Sequence, residues 1–130
     1  MKRTVIFSFL VLLGIFVAEG KTDHLLDFKG TSYDFGTVKE SSAPVVHEYE
    51  FINTSDQPVA VLSVSTGCGC TRPEYPVKPL APGEKSVIKI TFMPEGQSGE
   101  INKNIQVRYR GAKASSSKRI TLRLKGVVSK

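Results

Sequence analysis

Residues 45–53 read Val-Val-His-Glu-Tyr-Glu-Phe-Ile-Asn. His47, Tyr49 and Phe51 share one side of an extended chain, and Glu48 and Glu50 share the other. Strict alternation of this kind is the period of a half-buried strand. The aromatic side is expected to face inward, because the opposite side carries two carboxylates. Residues 53–58, Asn-Thr-Ser-Asp-Gln-Pro, end the run with side chains that bond their own backbone, so they are read as a turn. Asn53-Thr54-Ser55 also matches a glycosylation sequon. The turn reading is favoured.

The same period recurs on both sides of this strand. Residues 25–29 form a short candidate before it. Residues 33–38, Tyr-Asp-Phe-Gly-Thr-Val, form another, with Gly36 marking a bulge or a switch between sheets. Residues 59–64 follow the turn. Residues 85–93 place Ser86, Ile88, Ile90 and Phe92 on one side. Residues 101–110 alternate Ile101, Ile105, Val107 and Tyr109 with polar positions. Residues 119–128 put Ile120, Leu122 and Leu124 inward. No amphipathic helical stretch interrupts the series. About seven short strands with regular turns predict an immunoglobulin-like antiparallel β-sandwich, the alternative being a small barrel. The buried Trp and inter-sheet disulfide of antibody domains are missing, because the chain has no Trp and its two cysteines stand one residue apart.

The first twenty residues are expected to be a cleaved secretory signal. Lys2 and Arg3 precede an apolar run at 5–17, and Ala18 and Gly20 sit three and one residues before the predicted cut ahead of Lys21. The run is short of the about 20 apolar residues needed to span a bilayer. Residues 21–130 would then be one exported sandwich domain with no stable membrane span. Its expected setting is the periplasm, the cell surface or the medium. Removal of Lys2, Arg3 and Glu19 lowers the net charge from +6 to +5. The densest basic cluster includes Lys103, Arg108, Arg110, Lys113, Lys118, Arg119, Arg123 and Lys125. Much of it falls on the polar sides of two strands, where solvated charge is the simplest account, and nucleic acid is not expected as a partner.

Chemistry is hinted at in one place. Residues 65–76 read Ser-Thr-Gly-Cys-Gly-Cys-Thr-Arg-Pro-Glu-Tyr-Pro. Pro73 and Pro76 bar a central strand, so the stretch is expected to be a loop or an edge crossing between sheets. Four readings of Cys68 and Cys70 stay open. They bond to each other, since Gly69 lets the backbone bend toward the about 5.5–6 Å Cα separation a disulfide wants. They exchange disulfides as thiols, with Arg72 favouring the thiolate. They bind a soft metal such as copper(I), a full zinc set from His24 and His47 being hard to assemble. Or they are small buried residues without chemistry. Gly67, Gly69, Thr71 and Arg72 are the supporting loop. No catalytic set, metal site or cofactor is expected: Glu48 and Glu50 suit a solvated face, and Asp34 and Asp56 suit strand ends and turns.

With these segments laid out, the chain resembles the bacterial domain-of-unknown-function family 1573, found in secreted proteins of Gram-negative bacteria. The resemblance runs from about Tyr33 to Val128. It rests on Tyr-Asp-Phe-Gly-Thr-Val at 33–38, Tyr-Glu-Phe-Ile-Asn-Thr-Ser-Asp at 49–56, Ser-Thr-Gly-Cys-Gly-Cys-Thr at 65–71, Leu-Ala-Pro-Gly-Glu at 80–84 and Ile-Thr-Phe-Met-Pro at 90–94. Gly67 departs from the family's usual Ser-Cys-Gly-Cys. Phe-Ile-Asn-Thr-Ser and Ala-Pro-Gly-Glu are also similar to phrases of the major-sperm-protein-like and pilus-chaperone-like sandwiches. The resemblance implies a sandwich fold and a periplasmic or surface setting, and no established activity. The resulting expectation is a non-enzymatic exported module that binds an unidentified protein or polymer of the cell envelope. The alternative is a thiol–disulfide or copper(I)-handling protein acting through Cys68 and Cys70.

Overall fold

Strands with alternating apolar residues need a second apolar layer to cover them, and a facing sheet supplies it here. The computed structural model describes residues 25–130; the expected signal and His24 lie outside them. The described residues form eight strands and no helix: β1 (Leu26–Phe28), β2 (Ser32–Lys39), β3 (Val45–Asn53), β4 (Val59–Ser65), β5 (Thr71–Glu74), β6 (Lys85–Phe92), β7 (Gly99–Gly111) and β8 (Lys118–Ser129). One four-stranded sheet has the order β1-β3-β6-β5 and the other β2-β8-β7-β4. Tyr49, Phe51, Ile88, Ile90 and Phe92 from the first meet Ile105, Val107, Tyr109, Leu122 and Leu124 from the second in one buried core. The inward sides read from alternation are those the core uses. No helix among the described residues is long and apolar enough to cross a membrane.

The immunoglobulin-like sandwich is as expected, with two refinements. One pairing is not antiparallel: β2 runs parallel to β8, from Ser32 opposite Arg123 to Lys39 opposite Ser129. β1 lies antiparallel to β3 in the other sheet, and the chain changes sheets between β1 and β2. It therefore meets β8 from the parallel side, which periodicity cannot reveal. Gly36 marks the expected bulge. The register shifts between Asp34 and Thr37, Gly36 has a φ of 78°, and its N–H donates to Asp34 Oδ1 at 2.8 Å. Second, residues 71–74 are a short strand as well as part of the crossing. β5 pairs with β6 at the sheet edge, where one side needs no ladder bonds and Pro73 is tolerated.

The turn after β3 is organised by Asn53, which is fully buried. Its Oδ1 accepts from the Ser55 N–H at 2.9 Å and the Ser55 hydroxyl at 2.7 Å. Its Nδ2 donates to the carbonyls of Gln57 at 2.8 Å and Leu80 at 3.0 Å. With the amide nitrogen so used and hidden from solvent, the folded sequon offers no glycan acceptor.

Candidate functional site

β4 ends on the edge of one sheet and β5 begins on the edge of the other. Residues 66–70 carry the chain across and hold both cysteines. Gly67 takes a φ of 78°, in the left-handed region that favours glycine. The Thr66 hydroxyl donates to the Cys68 carbonyl at 3.1 Å. The Met93 N–H donates to the Cys70 carbonyl at 2.9 Å, tying the crossing to the end of β6. The Cα atoms of Cys68 and Cys70 are 5.4 Å apart and their sulfur atoms lie at bonding distance.

Thr71 touches both sulfurs. Its hydroxyl is 3.5 Å from Cys68 Sγ and 3.6 Å from Cys70 Sγ. Thr71 is buried because it faces inward at the first position of β5, opposite Phe92. Arg72, the expected thiolate partner, alternates to the solvent side of the strand and is exposed. Gly67 and Gly69 are exposed in the crossing.

The other candidates are dispersed. His47 is half-buried on β3, stacked on Tyr33 with ring centroids 3.8 Å apart and edge-on to Tyr49 at 4.6 Å. Burial pushes its pKa down, and the charge of Glu48 opposes this. Glu48 and Glu50 lie on the exposed side of β3, where Glu50 reaches Lys29 at 3.4 Å. Among the described residues no three His, Cys, Asp or Glu side chains converge as metal ligands. An open cleft beside Phe51 and Ser86 lies toward the opposite end of β6 from Phe92 and Thr71.

A second feature is an open sheet edge, whose place depends on strand order and so cannot be read from the sequence. β4 pairs with β7 only from Gly111 back to Gln106, where Ser65 is the last partner. β7 begins at Gly99 and is paired with β8 from that residue onward. Residues 99–105 therefore have no strand on their second side among the described residues. Alternate backbone N–H and C=O groups there point away from β8, as on any sheet edge. This open edge starts where the chain departs for the cysteine crossing. Ile101 and Ile105 are buried beneath it, and half-buried Lys103 lies on the same inward side between them.

Solved structures share the architecture. A PapD-like domain of human CEP192, an ASH domain, superposes with a TM-score of 0.68 at 14% identity, over 86% of this chain and 92% of that one. A protein of unknown function from Porphyromonas gingivalis W83 gives 0.64 at 18% identity, over 79% of this chain and 46% of that one. The YadV chaperone gives 0.61 at 14% identity, over 82% and 53%. The chain thus spans about half the length of the last two proteins. At these identities the likeness establishes the fold. Among curated proteins none matches the chain significantly. The family profile described as protein of unknown function DUF1573 matches residues 26–128, the whole sandwich from the first residue of β1 into the end of β8, and the chain belongs to that family.

Proposed function

We propose that this chain is a non-enzymatic binding module, exported to the cell envelope, that takes an extended segment of a partner protein along the open edge of β7. The observation that carries this reading is the unpaired stretch at residues 99–105, next to the end of β4. A strand added there would continue the line of β4. It would gain main-chain hydrogen bonds from β7, with its alternate side chains resting against the core side and the solvent side. Lys103 on the inward side adds selectivity, because it disfavours an apolar residue facing it and favours a carboxylate. The leader-like composition of residues 1–20 supports export. The fold is shared with YadV, a chaperone, which is in keeping with a protein-binding role.

The test is site-specific photocrosslinking in cells that make the full chain. A photoreactive residue replaces Asn102 beside the open edge, or Thr121 on the outer face of β8. Protein adducts from position 102 and not from 121 are the expected result. Equal yields, or none from 102, would refute the edge.

A second reading, thiol–disulfide exchange or copper(I) binding at Cys68 and Cys70, draws support from the Thr71 hydroxyl, placed where it can donate to either sulfur as a thiolate. Rapid alkylation, mass measurement and metal analysis of the protein from its native compartment decide it. Blocked thiols without metal oppose this reading; free thiols or bound copper favour it.

A further inference from the structure

The two outer faces of the sandwich treat charge differently. On the β3–β6 face Glu48 and Glu74 both lie opposite Lys89, and Glu50 meets Lys29. On the β7–β8 face Arg108 lies directly opposite Arg119, with Arg110, Arg123 and Lys125 on the same side of the sheet. None of these five cations has an ion pair among the described residues. The carboxylates on this face stand at its far end, Glu100 on β7 and Asp34 on β2 opposite Lys125. Like charges facing each other across a strand pair oppose folding. A sheet that neutralises one face and stacks arginines on the other is arranged for a partner that brings the negative charge.

We propose that the outer face of β7 and β8 is a binding stripe for an extended acidic polysaccharide bearing carboxylates, a polyuronate. The cations run in line with the strands, from Arg110 to the level of Lys125. Eight residues at about 3.4 Å each make this roughly 27 Å long. A line suits an extended chain better than the plane of a membrane. Neutral groups sit between the charges: Thr121 opposite Gln106, Asn104 opposite Arg123, Asn102 opposite Lys125. Amides and hydroxyls among guanidinium forks match a polymer that alternates sugar hydroxyls with carboxylates. No aromatic residue faces outward on β4, β7 or β8, so the stacking platform of single-stranded nucleic-acid binders is missing. The stripe uses side chains on the outer face of the sheet and the open edge uses the backbone of β7; the two adjoin at Asn102, and either stands if the other fails.

The test uses the full chain and polygalacturonate, titrated by calorimetry at several salt concentrations. Arg108→Gln with Arg119→Gln is compared with Lys85→Gln and Lys89→Gln, which removes the same charge from the opposite sheet. The arginine pair variant should bind about tenfold more weakly or worse, with a shallower salt dependence, and the lysine pair variant should stay within about twofold. The arginine variant should be no less stable to urea than the parent, so lost binding cannot reflect unfolding. Equal weakening by both variants would overturn the proposal, and so would the absence of binding. Tighter arginine-dependent binding to inorganic polyphosphate or to phosphatidylglycerol vesicles would overturn it as well.

Discussion

The Tyr49 hydroxyl donates a 2.7 Å hydrogen bond to the Arg123 carbonyl, joining β3 of one sheet to β8 of the other through the core. The Arg123 N–H in turn donates to the Thr31 carbonyl at 2.8 Å, so the backbone of this residue is held at both its N–H and its carbonyl. Tyr49→Phe keeps the ring and removes one buried hydrogen bond, while the Arg123 carbonyl stays in the β2–β8 ladder, and should cost about 1 kcal/mol in urea unfolding. Burial, with a smaller contribution from Tyr33, pushes the Tyr49 pKa up to about 12 from 10.0. A raised phenol pKa lends stability that is complete below pH 10 and disappears as pH rises through 12. The parent should therefore lose stability across that window more steeply than Tyr49→Phe. Parallel curves for the two proteins would show that the phenol does not govern alkaline unfolding.

His47 gives the opposite dependence at acid pH. Its ring lies flat on Tyr33, and burial keeps its pKa below 6.5. The unfolded chain then takes up a proton first, so stability is complete above pH 6.5 and falls as the solution is acidified. His47→Phe preserves the stack and should flatten this dependence. Urea midpoints measured between pH 7.5 and 5 would show it, and an unchanged slope would assign the acid sensitivity to other groups.

Asn53 makes four side-chain hydrogen bonds, three within the turn after β3 and one that joins the turn to the Leu80 carbonyl. The backbone reinforces it: the Asn53 N–H donates to the Glu84 carbonyl and the Gly83 N–H donates to the Asn53 carbonyl. Asn53→Ala should destabilise by about 2–4 kcal/mol, because several buried groups lose partners at once. Asn53→Asp should be at least as harmful, since it loses both amide donors and buries a charge. A loss under 1 kcal/mol for either would mean that water replaces the amide.

Much of this was legible in the chain, for local reasons. The inward side of β3 follows from Tyr49 and Phe51 alternating with glutamates, the turn from Asn53 and its neighbours, and the bulge from Gly36. The rest depends on which strands become neighbours. Ser32 lies opposite Arg123, and nothing in either segment gives the direction of that pairing. The open edge exists because Ser65 stops opposite Gln106 while β7 continues to Gly99. Thr71 stands beside the cysteines in the sequence, but its role turns on facing inward opposite Phe92. The adjacent Arg72 was the more obvious partner by charge and points the other way. The basic cluster was visible as composition, whereas Arg108 opposite Arg119 on one face required the register.

The link between Cys68 and Cys70 spans a single residue, so closing it constrains the unfolded chain little. Loop-closure entropy for so short a ring amounts to no more than about 2 kcal/mol. The crossing is held independently by Thr66 on the Cys68 carbonyl and by Met93 on the Cys70 carbonyl. Cys68→Ser with Cys70→Ser should therefore unfold cooperatively, within about 2 kcal/mol of the parent, and adding a reductant to the parent should shift its urea midpoint by a similar amount. The crosslinking yield at position 102 should survive the double substitution if the open edge is the working surface. Thr71→Val removes the hydroxyl from both sulfurs and serves as the counterpart. If thiol exchange is the function, it should raise the pKa of the reduced thiols and slow their alkylation near neutral pH without altering the fold. Alkylation rates that match those of the parent, beside intact crosslinking in the double serine variant, would leave the cysteines no part in the chemistry and place the function on the sheet edge.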